Sequence, residues 1–230
     1  MPTIVFATYK GGAGKTTSAI VLACELARQN AAVTMIDADP NKHTAKWAAR
    51  EGCPASISVI AEDVSEENIL DHITDAETQT PFVIVDLEGT ASMMVAYAIS
   101  RADLVIIACQ GAQDDADEAA KTIKLVRRQQ QAFGREIPVS VLMTRTSPAI
   151  RPRTQRAIVD QFREAGIDLF ASSLVDREAY RAMRSFGGSI HDLPMAEVSG
   201  LEKAAANAHE YAAEVVAKLK GQGAKTRAVA

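Results

Sequence analysis

At 230 residues the chain is long enough for one large α/β domain, or at a stretch two small ones. Hydrophobic residues make up 47% and charged residues 23%, the balance of an ordinary globular protein, and a formal net charge of -4 excludes a uniformly basic nucleic-acid binder while leaving room for a local basic patch. Cys24, Cys53 and Cys109 are odd in number, far apart and without metal-ligand spacing. The first residues carry no basic leader or cleavage site, and no apolar stretch approaches the roughly 20 residues of a membrane span. A cytoplasmic protein with reduced thiols is expected.

In chain order, short apolar runs rich in β-branched residues lie at 3–7, 33–36, 57–60, 82–85, 104–108 and 139–143, with a weaker one at 169–174. Helical patterns fill about 16–29, 41–51, 65–76, 113–132 and 152–165, and two more, about 177–187 and 199–220, follow the last strand. The strand runs are continuously apolar rather than alternating, which marks strands covered on both faces. Strand and helix in alternation predict an α/β fold: a doubly wound, mostly parallel sheet with helices on both faces. No internal repeat or long linker divides the chain, so residues 1–220 are expected to form a single domain and 221–230 a frayed C-terminal tail.

The first strand runs into Lys10-Gly11-Gly12-Ala13-Gly14-Lys15-Thr16-Thr17, which opens a helix. Glycines at these places let backbone N–H groups turn toward phosphate oxygens, and the helix start adds its positive dipole end. In such a loop Lys15 supplies charge to the β- and γ-phosphates, and the Thr16 hydroxyl is placed to ligate Mg²⁺. The strict G-x-x-x-x-G-K-[ST] pattern fails only at its first glycine, where Tyr9 stands. ATP and Mg²⁺ are therefore the expected cofactors of a P-loop NTPase. Asp37 and Asp39 close the second strand and Asp86 the fourth, where an open parallel sheet forms its ligand crevice.

Lys-Gly-Gly-x-Gly-Lys-Thr-Thr resembles the deviant Walker A motif of the ParA/MinD ATPases. Asp37-Ala38-Asp39-Pro40-Asn41 looks like their switch I segment, and Val83-Ile84-Val85-Asp86 like their Walker B strand, in the right order. The resemblance runs from Pro2 to about Lys218, strong to Asp86 and diffuse after it. It implies that Lys10 reaches across a dimer to the partner's phosphates, that Asp39 orients the attacking water, that Asp86 holds Mg²⁺ through water, and that Asp37 supports the metal shell. It also implies that Met143 and Arg145, in Leu142-Met143-Thr144-Arg145, edge the adenine. Asp176-Arg177-Glu178 matches a further ParA-like segment, with Asp176 as an alternative helix cap.

After Asp86 the chain departs from the family, reading Leu87-Glu88-Gly89-Thr90 where most relatives have a Thr-Pro-Pro run. The plasmid-borne ParA relative that assists T-strand transfer departs at the same place, so the resemblance is nearest to the small subgroup of that accessory ATPase and of orphan cargo-positioning ParA proteins. Glu88 adds a carboxylate near the γ-phosphate position.

Positive charge gathers in the second half. Arg145, Arg151, Arg153, Arg156 and Arg163 stand against the single acid Asp160, and Arg177, Arg181 and Arg184 follow at a spacing that puts them on one helical face. Residues Arg151, Arg153, Arg156, Arg181 and Arg184 are the expected contacts for double-stranded DNA, bound without regard to sequence as in ParA proteins. Few aromatics lie nearby, which argues against single-strand stacking. The expected activity is slow, partner-stimulated hydrolysis of ATP to ADP and phosphate. It would drive a homodimer that binds DNA, associates with the nucleoid and positions cargo: plasmid DNA, a transfer complex or a protein cluster. A MinD-like membrane regulator is the alternative, disfavoured because the tail lacks an apolar face; a purely protein-directed ATP switch is another.

Overall fold

The computed structural model describes residues 1–90, 92–150 and 152–229, with side chains to Gly221. Its strands are β1 (Thr3–Phe6), β2 (Val33–Ala38), β3 (Ile57–Ile60), β4 (Phe82–Leu87), β5 (Leu104–Cys109), β6 (Val139–Thr146) and β7 (Leu174–Val175). They form one sheet in the order β3-β2-β4-β1-β5-β6-β7, and every pairing is parallel. The helices are α1 (Lys15–Arg28), α2 (His43–Ala48), α3 (Ile69–Gln79), α4 (Met93–Arg101), α5 (Gln113–Phe133), α6 (Arg153–Glu164), α7 (Glu178–Phe186) and α8 (Leu201–Val229), with a 3-10 turn at Ile190–Asp192.

Continuous hydrophobicity in the strands follows from two covered faces. Ile4, Phe6, Met35, Ile84, Leu104, Ile106 and Leu142 pack with residues of α1, α2, α7 and α8. The alternate residues Val5, Ile36, Val83, Val85, Val105, Ile107 and Val141 pack with α3, α4, α5 and α6. A period of two sends successive side chains to opposite layers, so a strand buried on both sides has no polar face to show.

Three elements differ from the sequence pattern. Helix α4 lies where none was expected; Ser92 caps it, its Oγ accepting from the Val95 N–H at 3.3 Å, and Met94, Val95, Ala98 and Ile99 are its buried stripe. The weak seventh strand shrinks to Leu174–Val175, with Leu169 touching Val141 only as an isolated bridge. Helix α8 continues to Val229, past position 220, because the glycines at 221 and 223 weaken a helix without breaking it. Among the described residues no helix is long and apolar enough to cross a membrane.

β1 is the pivot of the topology. The chain leaves it toward β2 on one side and later returns to β5 on the other. The carboxyl end of β1 is thus the switch point at which open α/β sheets bind ligands.

Candidate nucleotide site

The loop between β1 and α1 has a backbone that its sequence requires. Gly12 (φ 78°) and Gly14 (φ 101°) lie in the left-handed region, and a Cβ on Gly14 would come within 3.3 Å of the Thr144 side chain. Three side chains, two of them from neighbouring strand ends, hold the loop's carbonyls. Thr144 Oγ1 donates to the Ala13 carbonyl at 2.6 Å, Gln110 Nε2 to Gly12 at 2.8 Å, and Lys15 Nζ to Lys10 at 3.2 Å. None of the amides from Gly11 to Thr17 donates to an acceptor among the described residues. A row of free N–H groups at a helix N-terminus, with a buried lysine beside it, is a cradle for an anion, and a polyphosphate fits it. Burial pushes the Lys15 pKa down, while Asp86, Asp39 and Glu88 oppose the shift.

The carboxylates come from β2 and β4, where Asp37 and Asp86 are register neighbours, both wholly buried. Asp37 is fully engaged: Oδ1 accepts from the Asp39 N–H at 3.2 Å and Oδ2 from the Ala45 N–H at 2.9 Å. It therefore ties the switch segment to the first turn of α2, a cap supplied from outside the helix. Neither Asp39 nor Asn41 caps α2; the N-cap position is Lys42, in left-handed conformation (φ 49°), with its Nζ on the Asp37 carbonyl at 3.0 Å. Half-buried Asp39 holds Asn41 through Oδ1, which accepts from the Asn41 N–H at 2.8 Å and its side-chain amide at 3.0 Å.

Asp86 is different. Its Oδ2 accepts from Thr44 Oγ1 at 2.9 Å, but its buried Oδ1 has no hydrogen-bond partner. Burial pushes its pKa up to about 6; the Thr16 and Thr44 hydroxyls and Lys15 pull the other way, and Asp37 adds to the rise. An orphaned carboxylate oxygen beside a threonine hydroxyl is the donor chemistry that a hard cation takes, so the residues present fit Mg²⁺.

Two residues outside the motifs complete the loop's surroundings. Lys10 Nζ forms an ion pair at 2.9 Å with Asp115, a buried carboxylate in the first turn of α5, and that carboxylate pushes the lysine pKa up. Gly89 lies against the loop so closely that a Cβ would stand 2.8 Å from the Gly11 nitrogen. Thus the atypical segment after Asp86 touches the phosphate loop, and Glu88, half-buried, lies within electrostatic reach of Lys15. Nothing in the loop motif pointed to Asp115, Gln110, Thr44 or Thr144.

Beside the loop a hollow of about 340 Å³ is lined by Gly111, Thr144, Arg145, Thr146, Gln155 and Asp176 among others. Arg145 stands at its rim, exposed and in left-handed conformation (φ 49°), where the β6–β7 register shifts. Met143 does not line this hollow. It is buried in the core between the sheet and α5 and α6, because its place in the strand's period of two sends it to that face. A larger hollow, about 750 Å³, lies between α2 and the edge strand β3 and contains none of these residues.

The described arginines of the second half have different surroundings. Arg153 and Arg156 are exposed on α6, whereas Arg151 lies outside the described residues. Arg177 precedes α7 in extended conformation, so the three-arginine helical face is not formed. Arg181 is held by Asp176 at 2.5 Å and Glu178 at 2.9 Å, which also makes Asp176 an ion-pair partner rather than a cap. Arg184 turns inward, its Nη1 donating to Thr17 Oγ1 at 3.4 Å.

Comparisons with known proteins agree with this arrangement. The VirC1 protein family matches residues 1–220. Protein ParA of Rhizobium radiobacter is 39% identical over 219 residues, covering 95% of this chain and 98% of the relative. Protein virC1 of Rhizobium rhizogenes is 30% identical over 194 residues, covering 81% of this chain and 82% of the relative. McdA of Cyanothece, solved in apo form and as an ATP complex, shares the fold at TM-scores of 0.74 and 0.75 with 17% identity, covering 92% and 94% of this chain and 99% and 96% of the respective McdA chains. With the glycine-rich loop, the paired strand-end aspartates and the parallel sheet in place, the chain belongs to the VirC1 family of ParA-like proteins.

Proposed function

We propose that the protein is an ATP-driven switch that binds ATP-Mg²⁺, pairs with a second copy and hydrolyses ATP slowly until a partner protein accelerates it. The observation that carries this reading is the row of free amides at Gly11–Thr17 together with the orphaned Asp86 Oδ1, whose carboxylate lies within electrostatic reach of Lys15. Lys15 would hold the β- and γ-phosphates. Thr16 and Asp86 would hold Mg²⁺, which supplies charge neutralisation on the phosphates. Asp37, with both oxygens on backbone amides, supports the metal site by fixing the segment that carries Asp39. Asp39 would orient the attacking water once its hold on Asn41 yields. Lys10 would leave Asp115 for the partner's γ-phosphate, and ATP itself repays the lost ion pair. McdA, with the same fold, has been solved with ATP.

In the cargo reading, which rests on the resemblance to ParA proteins, the dimer would attach to double-stranded DNA without sequence preference and position plasmid DNA, a transfer complex or a protein cluster. Exposed Arg153 and Arg156 remain the DNA contacts in this reading. A purely protein-directed switch is the second reading, favoured by the pairing of Arg181 and the inward turn of Arg184.

Light scattering with ATP-Mg²⁺, with ADP-Mg²⁺ and with ATP plus chelator tests the switch. The doubled mass is expected with ATP-Mg²⁺ alone; a mass indifferent to nucleotide removes the switch. Duplex binding that appears only in the ATP-Mg²⁺ state supports the DNA-carrier reading, and its absence at low salt leaves the protein-directed one.

A further inference from the structure

Two arginines three residues apart on α7 have opposite fates. Arg181 is exposed and satisfied by two carboxylates. Arg184 is half-buried, touches Thr17, and has no ion-pair partner among the described residues. Two further cations, Arg145 at the end of β6 and Arg50 after α2, stand near enough to repel it, and Asp86 is the acid that attracts it. Burial and these arginines push its pKa down. A partly desolvated guanidinium among like charges is unfavourable by itself, and an anion completes it.

The position of that anion is set by Thr17. Counting from the N-cap Gly14, Thr17 is the third residue of α1, and its amide is one of the free ones. Lys15 and Thr16 precede it and are suited to the terminal phosphates and the metal, so the Thr17 side of the cradle faces the phosphate nearest the ribose. Arg184 is also fixed from behind. A Cβ on Gly187 would stand 2.5 Å from the Arg50 Cβ, and Trp47 Nε1 donates to the Gly188 carbonyl at 3.0 Å, so the end of α7 is clamped to α2.

We infer that Arg184 is a nucleotide-binding residue, seating the phosphate nearest the ribose beside Thr17 in the same subunit, rather than a DNA contact. The inference rests on reading the loop as a nucleotide site. A phosphate of bound DNA is the other source of the same chemistry, and the half-buried, inward-facing side chain disfavours it. Because ATP and ADP share that phosphate, the contact strengthens both equally. It is uniform binding, which lowers KM without raising kcat.

The test is calorimetric titration of ATP-Mg²⁺ and ADP-Mg²⁺ into the wild type, Arg184→Ala, Arg184→Gln and Arg184→Lys, with melting of each variant without nucleotide. Arg184→Gln retains a donor for Thr17 and controls for folding. Losing one charge-assisted hydrogen bond should weaken ATP and ADP alike by about tenfold in Arg184→Ala and Arg184→Gln, with partial recovery in Arg184→Lys. KM for ATP should rise by about the same factor while kcat falls less than about twofold. With nucleotide saturating, duplex binding should match the wild type. Unchanged ATP and ADP affinity in a folded variant overturns the inference. So does a loss confined to ATP, or loss of duplex binding at full nucleotide occupancy. A wild type that binds no ATP overturns the nucleotide reading, and this inference with it.

Discussion

The motif-bearing half of the site and the arginine-rich half teach opposite lessons about charge. In the motif-bearing half the charged residues of the site, Lys10, Lys15, Asp37, Asp39 and Asp86, lie at or just after strand ends and in one tight loop that opens α1, where backbone geometry leaves each side chain little choice of direction. Asp37 and Asp86 are neighbours because β2 and β4 are paired in register. In the second half Arg153, Arg156, Arg163, Arg181 and Arg184 lie on helices and Arg145 at a bulged strand end, and on a helix a single step changes the direction of a side chain by about 100°. Hence Arg181 and Arg184, three residues apart, point to two carboxylates and to the phosphate loop respectively. A charge run on helices is a composition, not yet a surface.

The largest expected effect lies in the first half and tests whether it is a phosphate site at all. Lys15→Ala should reduce ATP affinity by more than about a hundredfold in titration, since it removes a buried cation from the phosphates. If binding survives, the contrast between the halves loses its first term. Next, Asp39→Ala should bind ATP with near wild-type affinity and hydrolyse it about a hundredfold more slowly, measured by phosphate release. Wild-type turnover would remove Asp39 from the water-positioning role.

The Lys10–Asp115 pair offers a middle-sized test of the first half. Lys10→Ala should weaken the ATP-dependent dimer by at least about tenfold, because a γ-phosphate contact across the interface is lost. Asp115→Asn should instead tighten it by about threefold, the modest value of a lysine ion pair that is 40% exposed on the lysine side. Sedimentation with ATP-Mg²⁺ reads both, and variants that shift the dimer in the same direction would show that the pair persists in the dimer. The smallest effect concerns exposed Arg153: removing one phosphate contact should flatten the slope of log K against log[salt] by about 0.9, with no change in sequence preference. No change in slope would favour the protein-directed switch.

Read alone, the sequence determined the parallel α/β architecture, the phosphate loop and the identity of the strand-end aspartates. These follow from short-range rules: continuous apolar runs for doubly covered strands, glycines for left-handed turns, lysine and threonine at a helix start. Helix α4, absent from the sequence expectations, is encoded locally too, by the Ser92 cap and the stripe Met94, Val95, Ala98 and Ile99. Tertiary structure alone decided the long-range matters. Asp115 meets Lys10 from 105 positions away, Thr144 holds the Ala13 carbonyl from 131 away, and Arg184 reaches Thr17 from 167 away. No local propensity encodes such meetings. They exist because the sheet order places β5, β6 and α7 around the end of β1, and each contact is fixed only once those elements are packed.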